Sequence, residues 1–348
     1  MTPAQKIDLR SDTVTLPDAA MKKAMVEAPL GDDVFGDDPT VKLLEKNAAE
    51  LVEKDLAVFM PSGTMGNLAA VLAHTSRGDA VILDAESHIF YYEAGGSSVV
   101  GGVQFWPVAD LHCSGGPEKV LQAVRPPDQH FAPARLLCLE NSHNRQGGTV
   151  LRPDELQSYY QAAQETRLHV HLDGARIFNA SIALDRPVTE FTRCCDSVMF
   201  CLSKGLGAPI GSILAGPAPF IESARRYRKL LGGGMRQAGI LAAAGFASLQ
   251  NIPLLKEDHR RALTLAQGLA NLNHLKVDPF PPPTNIILLS LKEGKADTED
   301  FLQHLESHGI QAIPFGKDLI RMVIHKDIND RDINYVLNTV SAYLKTFS

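Results

Sequence analysis

Short apolar runs, closed by glycine, proline or polar turns and separated by helical patterns, recur along most of this chain. That alternation limits the fold more than any other feature. Runs at 56–60, 80–83, 135–139, 168–172, 197–202 and 211–215 are brief and apolar enough for buried strands. Pro39 opens a helical pattern in which Val41, Leu44, Ala48, Leu51 and Val52 share one face. A second helix runs through His74, and 153–165 is the clearest of the others. Strands alternating with helices predict an α/β fold with a mostly parallel sheet sandwiched by helices. Residues 1–38 read as irregular, dense in Asp and Gly, and 217–273 as nearly all helical. After the break Asp278-Pro279-Phe280-Pro281-Pro282-Pro283 come a strand at 286–291 and a helix at 298–307. Short strands near Ile310 and Arg321 and a closing helix at 329–345 complete a smaller α+β C-terminal domain. With 348 residues, the expected division is 1–250, an N-terminal segment plus the large domain, and 251–348.

Two of these strands end in reactive side chains. Val198-Met199-Phe200-Cys201-Leu202 leads into Ser203-Lys204-Gly205, so Lys204 stands at a strand end in a partly dry crevice. Desolvation there favours a nucleophilic amine. Upstream, Leu168-His169-Val170-His171-Leu172 ends in Asp173-Gly174-Ala175-Arg176. Ligands of open α/β sheets bind at the C-terminal strand ends. An amine and an acid in that place are what pyridoxal 5'-phosphate requires, the lysine for a Schiff base and the acid to face the pyridinium nitrogen. Pro61-Ser62-Gly63-Thr64-Met65-Gly66-Asn67 supplies a third part. Its turn and helix start direct backbone N–H groups toward an anion, and Thr64 adds a hydroxyl. Each feature also has a plainer reading: a surface lysine, a helix cap at Asp173 and a capped helix at Ser62.

Composition narrows the field. Hydrophobic content of 45% with 21% charged residues is ordinary for a soluble globular protein. A net charge of −6 offers no basic footprint for nucleic acid or an anionic membrane. No apolar run approaches the ~20 residues that span a bilayer. Met1-Thr2-Pro3-Ala4-Gln5-Lys6-Ile7-Asp8 has no apolar signal core, and the five cysteines lack paired metal spacing, so a cytoplasmic protein with reduced thiols is expected. The glycine turn matches neither nucleotide fingerprint, which disfavours a nucleotide-binding oxidoreductase. His169 and His171 share a strand face, as in a metal-dependent hydrolase, but no third ligand stands out and no metal is expected.

The chain resembles the L-threonine aldolase family, of the low-specificity or L-allo-threonine type, within the fold type I pyridoxal-phosphate enzymes. The resemblance rests on Asp8-Leu9-Arg10-Ser11-Asp12-Thr13-Val14-Thr15, Gly31-Asp32-Asp33-Val34-Phe35-Gly36-Asp37-Asp38-Pro39-Thr40 and Pro61-Ser62-Gly63-Thr64-Met65-Gly66-Asn67. It continues through Ser87-His88-Ile89-Phe90-Tyr91-Tyr92-Glu93, Leu139-Glu140-Asn141-Ser142-His143-Asn144 and Leu172-Asp173-Gly174-Ala175-Arg176. Leu202-Ser203-Lys204-Gly205-Leu206-Gly207-Ala208-Pro209 and Leu231-Gly232-Gly233-Gly234-Met235-Arg236-Gln237 complete it, in order across most of the chain.

The resemblance implies a carbon–carbon lyase that cleaves L-threonine, L-allo-threonine and related β-hydroxy-α-amino acids to glycine and an aldehyde, acetaldehyde for threonine. It implies a cytoplasmic homotetramer with active sites near subunit interfaces, serving glycine biosynthesis or threonine catabolism. Lys204, flanked by Ser203, would carry the cofactor, Asp173 would pair with its ring nitrogen, and Ser62, Gly63 and Thr64 would hold its phosphate. His88 would stack on the ring and, like His130 in the loop at 126–133, reach the β-hydroxyl directly or through water. Arg176 and Arg321, helped by Ser11, would grip the α-carboxylate, with Arg176 also touching the cofactor. The segment 229–236 would approach a neighbouring subunit's site. Phe35 stands where the family frequently has tyrosine, which removes a hydroxyl near the substrate pocket. Another reaction on the same cofactor, by a different lyase, a racemase or a transaminase, starts from the same residues and stays open.

Overall fold

The central strands are apolar along nearly their whole length, so both their faces must be covered. The computed structural model describes residues 6–113, 115–292 and 297–347. Its strands begin with β1 (Ile7–Asp8), β2 (Leu56–Met60), β3 (Ala80–Asp84), β4 (Gln104–Val108), β5 (Ala134–Glu140), β6 (His169–Asp173), β7 (Ser197–Cys201) and β8 (Ser212–Gly216). The C-terminal part adds β9 (Leu275–Val277), β10 (Ile286–Leu291), β11 (Ile310–Gln311), β12 (Ile313–Pro314) and β13 (Leu319–Val323).

Strands β2 to β8 form a seven-stranded sheet in the order β2-β8-β7-β6-β5-β3-β4. From β7 to β4 every neighbouring pair is parallel, and β8 alone runs against both its neighbours. β2 therefore points the same way as β7, and β2, β3, β5, β6 and β7 all end at one edge of the sheet. Alternate residues serve opposite faces. Ala57, Phe59, Val198 and Phe200 pack with Val41, Leu44 and Leu156 of the helices Pro39–Leu51 and Pro153–Glu165. Val58, Met60 and Met199 pack with Ala69, Ala70, Phe220 and Ala224 of the helices Gly63–His74 and Ala218–Leu230.

A second, antiparallel sheet, β12-β13-β10-β9, packs on the helices Leu255–Ala270 and Asp330–Leu344 through Leu265, Leu269, Ile287, Leu289, Met322 and Val336. Ile7 and Leu9 belong to this core, because β1 pairs in parallel with β11.

Two departures from expectation have local causes. The stretch read as irregular contains the helix Ala19–Glu27, capped by Asp18 accepting from the Met21 N–H at 2.8 Å. Only Met21 is buried, so no apolar stripe marks it. The unforeseen β4 is an edge strand with Pro107 inside it and no fully buried residue. Among the described residues no helix is long and apolar enough to cross a membrane, and residues 1–5 of the inspected start lie outside them.

Candidate active site

Asp173 closes β6 at the sheet edge and is buried. Asn67, from the helix Gly63–His74, donates to its Oδ2 at 2.9 Å, and the Ala175 N–H donates to Oδ1 at 3.1 Å. Lys204 follows β7, half-buried, with its carbonyl accepting from Thr15 Oγ1 and the Gly207 N–H, both at 2.8 Å. Ser62 caps the helix by accepting from the Met65 N–H at 3.2 Å, which leaves the N–H groups of Gly63 and Thr64 without an intrahelical acceptor. A Cβ at Gly63 would stand 2.9 Å from Cys201 Sγ, so glycine is what lets the helix start sit against the end of β7. Ser62, Gly63, Thr64, Asp173, Ser203 and Lys204 line one cavity of about 180 Å³.

His88 lines the same cavity. Its Nδ1 lies 2.9 Å from Glu93 Oε1, and its backbone N–H donates to Glu140 Oε2 at 2.7 Å. Burial opposes a proton on the ring, but Glu93 and Asp173 outweigh it and raise the pKa. Burial also raises the Glu93 pKa, and the Asp173 charge adds to it. His88, Glu93 and Asp173 bring one ligand atom each within 4.8 Å of one another, and Asn67 bridges the two carboxylates. The pair His169 and His171 enters no such grouping among the described residues, and both ring nitrogens of His171 have partners in Asn67 and Ser197.

A second cavity, of about 290 Å³, shares His88 and Lys204 with the first and is walled by Ser11, Arg176, Phe315 and Arg321. Arg176 is bound at two points by Asp12, at 2.8 and 2.6 Å, and the pair is buried. Burial would raise the Asp12 pKa, but the Arg176 charge holds it well below the usual carboxylate range. Arg321 donates to Asn144 Oδ1 at 2.7 Å and to the Arg10 carbonyl at 3.1 Å, with its guanidinium over the Phe315 ring. Its buried Nε has no acceptor among the described residues. Burial, followed by the Arg176 charge, lowers its pKa to about 10. This guanidinium is poised for an anion.

The structure thus brings together Ser11, Ser62, Gly63, Thr64, His88, Asp173, Arg176, Ser203, Lys204 and Arg321. It does not bring His130 to them. That side chain is 72% exposed on a surface turn, tied to Asp128 at 2.5 Å, and lines neither cavity. The donor set fits pyridoxal 5'-phosphate: an acid for the ring nitrogen, an amine for its carbonyl carbon, an imidazole for its face and helix-start N–H groups for its phosphate.

The family model for β-eliminating lyases matches residues 8–293. Low-specificity L-threonine aldolase 1 of Arabidopsis thaliana is 43% identical over 98% of this chain and 97% of its own length. The low specificity L-threonine aldolase of Escherichia coli (strain K12) is 42% identical over 97% of this chain and 99% of its own. The chain belongs to the L-threonine aldolase family. Solved structures share the fold. The Leishmania major threonine aldolase matches with a TM-score of 0.80 at 18% identity, covering 97% of this chain and 99% of that one. The Sphingomonas wittichii serine palmitoyltransferase matches at 0.77 and 19%, covering 99% and 89%.

In this aldolase-family chain, residue-by-residue reading assigned no role to Asp12, Thr15, Asn67, Glu93, Asn144 or Phe315. Most stand in stretches that carry the family resemblance, which was the available signal. Apart from the His88 that Glu93 holds and the Arg321 over Phe315, their partners lie far away in sequence.

Proposed function

We propose that this chain is a pyridoxal 5'-phosphate-dependent aldolase of low specificity that cleaves L-threonine and L-allo-threonine to glycine and acetaldehyde. One observation carries the reading. The cavity holding Lys204 and Asp173 meets, at Lys204 and His88, a cavity whose Arg321 lacks a counter-ion among the described residues. A place for the cofactor adjoins a place for an amino-acid carboxylate.

Bound there, pyridoxal phosphate supplies the sink for the electron pair released when the Cα–Cβ bond breaks. Lys204 would anchor it covalently, Asp173 would face its ring nitrogen, His88 would cover its ring, and Ser62, Gly63, Thr64 and Ser203 would hold its phosphate end. Arg321, with Ser11 and the Asp12-held Arg176, binds the α-carboxylate and so fixes rotation about Cα. That rotation decides which bond is aligned for cleavage. His88, with Nδ1 tied to Glu93, accepts the β-hydroxyl proton at Nε2, directly or through a water. His130 remains a second candidate base only if assembly carries its loop to a site.

Exposed Val34, Phe35 and Leu230 lie in or near the 229–236 region, and a homotetramer would cover them there, beside the active sites. Five free thiols suit the cytoplasm. Glycine formation and threonine breakdown are two uses of one reaction.

The test is product analysis. Cofactor-loaded protein incubated with L-threonine and with L-allo-threonine is expected to release acetaldehyde and glycine, and Lys204→Ala to abolish both that release and the cofactor's visible absorbance. No acetaldehyde from either substrate, with pyruvate or D-alanine instead, overturns the aldolase assignment.

A further inference from the structure

Beneath the cofactor cavity, a line of buried polar side chains runs from Asp173 along the sheet, under the helix Gly63–His74. Asn67 donates both amide hydrogens from Nδ2, to Asp173 Oδ2 at 2.9 Å and to Glu93 Oε1 at 2.8 Å. Two carboxylates on one nitrogen leave the amide no second orientation. Its Oδ1 therefore faces His171, 3.0 Å from Nε2. An amide oxygen only accepts, so His171 carries its proton on Nε2.

His171 is wholly buried, and burial pushes its pKa down to about 3, so the ring is neutral and Nδ1 holds a lone pair. Ser197 Oγ lies 2.9 Å from Nδ1 and must donate to it. The Ser197 oxygen then accepts from His74 Nε2 at 2.8 Å. His74 is also neutral at working pH, its pKa lowered to about 2 by burial and by the neighbouring His171 and His169. Every donor along the line points one way, from His74 through Ser197, His171 and Asn67 to the two carboxylates.

None of His74, Ser197 or His171 lines either cavity. A purely structural polar ladder needs only satisfied partners, and either direction would serve. This ladder has one direction and ends on the acid that faces the ring nitrogen. We propose that His171 and Ser197 are positioning residues, which fix the amide of Asn67 and through it the rotation of the Asp173 carboxylate against the cofactor. The inference rests on the cofactor reading above. If the Nε2 proton of His171 is lost, the buried Asn67 oxygen has no donor and only the two carboxylates orient the amide, so the donor to Asp173 is held less firmly.

Three variants test this on the full-length protein. Ser197→Ala removes the hydroxyl with little volume, His171→Leu removes both ring contacts, and His171→Gln keeps an N–H able to reach Asn67. Apoprotein is titrated with pyridoxal phosphate while the visible band is followed, and kcat and KM for L-threonine are measured separately. His171→Leu is expected to weaken cofactor affinity and lower kcat by about tenfold or more, with KM changed less than about threefold. His171→Gln should restore both to within about threefold, and Ser197→Ala should fall between. If His171→Leu does not fold, Ser197→Ala decides. Folded variants with wild-type cofactor affinity, band position and kcat overturn the proposal. A wild-type chain that takes up no pyridoxal phosphate overturns the cofactor reading and this one with it, whereas normal uptake with indifferent variants overturns this one alone.

Discussion

Asp12 binds Arg176 through hydrogen bonds of 2.8 and 2.6 Å and leaves the neighbouring Arg321 without a carboxylate. The two guanidiniums line one cavity, yet among the described residues only Arg176 has a carboxylate partner. A buried cation in that state burdens the fold until an anion arrives. Arg321→Leu is therefore expected to keep or raise the thermal midpoint while lowering kcat/KM by about 10- to 100-fold, the worth of a charge-assisted hydrogen bond. Thermal denaturation and steady-state kinetics on the same preparation check both parts. An unchanged KM would place the carboxylate elsewhere.

Glu93 holds the imidazole of His88, and it is the first carboxylate to consider when activity is measured against pH. Burial works against a proton on His88, and Glu93 and Asp173 more than compensate. Glu93→Gln removes one of those charges, so the His88 pKa should fall. A base acts in its deprotonated form, so the acid limb of the kcat profile should move to lower pH, with kcat itself down by about tenfold or more. An acid limb that stays in place would exclude His88 as the titrating group.

Asp258, on the helix Leu255–Ala270, is only 2% exposed. Burial lifts its carboxyl from 3.8 to about 7, and Arg261 opposes this only in part. Between those values the folded chain keeps a proton that the unfolded chain has lost. Stability therefore falls as pH rises through that window, by about 1.4 kcal/mol per pH unit. Asp258→Asn should be more stable than the parent at pH 8 by a margin that shrinks steadily toward pH 4. Denaturation midpoints across that range measure the margin, and one that does not vary with pH refutes the account.

His130 is solvent-exposed and pairs with Asp128. If catalysis uses only the groups this chain gathers around Lys204, His130→Ala should keep kcat/KM within about threefold of wild type, as for a surface change. A tenfold loss would mean that assembly carries this loop to a site.

Lys204, Asp173 and the turn at 62–64 were legible because each ends a strand whose apolar run is continuous in sequence. The alternation of strands and helices was legible for the same reason. Helix Ala19–Glu27 and strand β4 were not, since one buries a single methionine and the other is a half-exposed edge. Asp12, Asn67, Glu93 and Asn144 show the deeper limit. Each acquires its role from a partner on another element, as Asn144 does in accepting from Arg321. Local pattern carries no record of such pairings. Arg321 stood out in the sequence through the family resemblance alone; in the structure, the lack of a carboxylate partner among the described residues marks it as well.

The pairing of β1 with β11 has a consequence for how the molecule is made. Residues 7–15 leave the ribosome some three hundred residues before their partners, for Ile7 pairs with Ile310, and the carbonyl of Arg10 accepts from Arg321. The large sheet, complete by Gly216, can assemble around Lys204 while that strand still waits for its mate. A chain released early, before Arg321, would hold Lys204 and the Asp12-bound Arg176 but not the unpaired guanidinium beside them. The cavity beside Lys204 therefore closes only after β13 has been made.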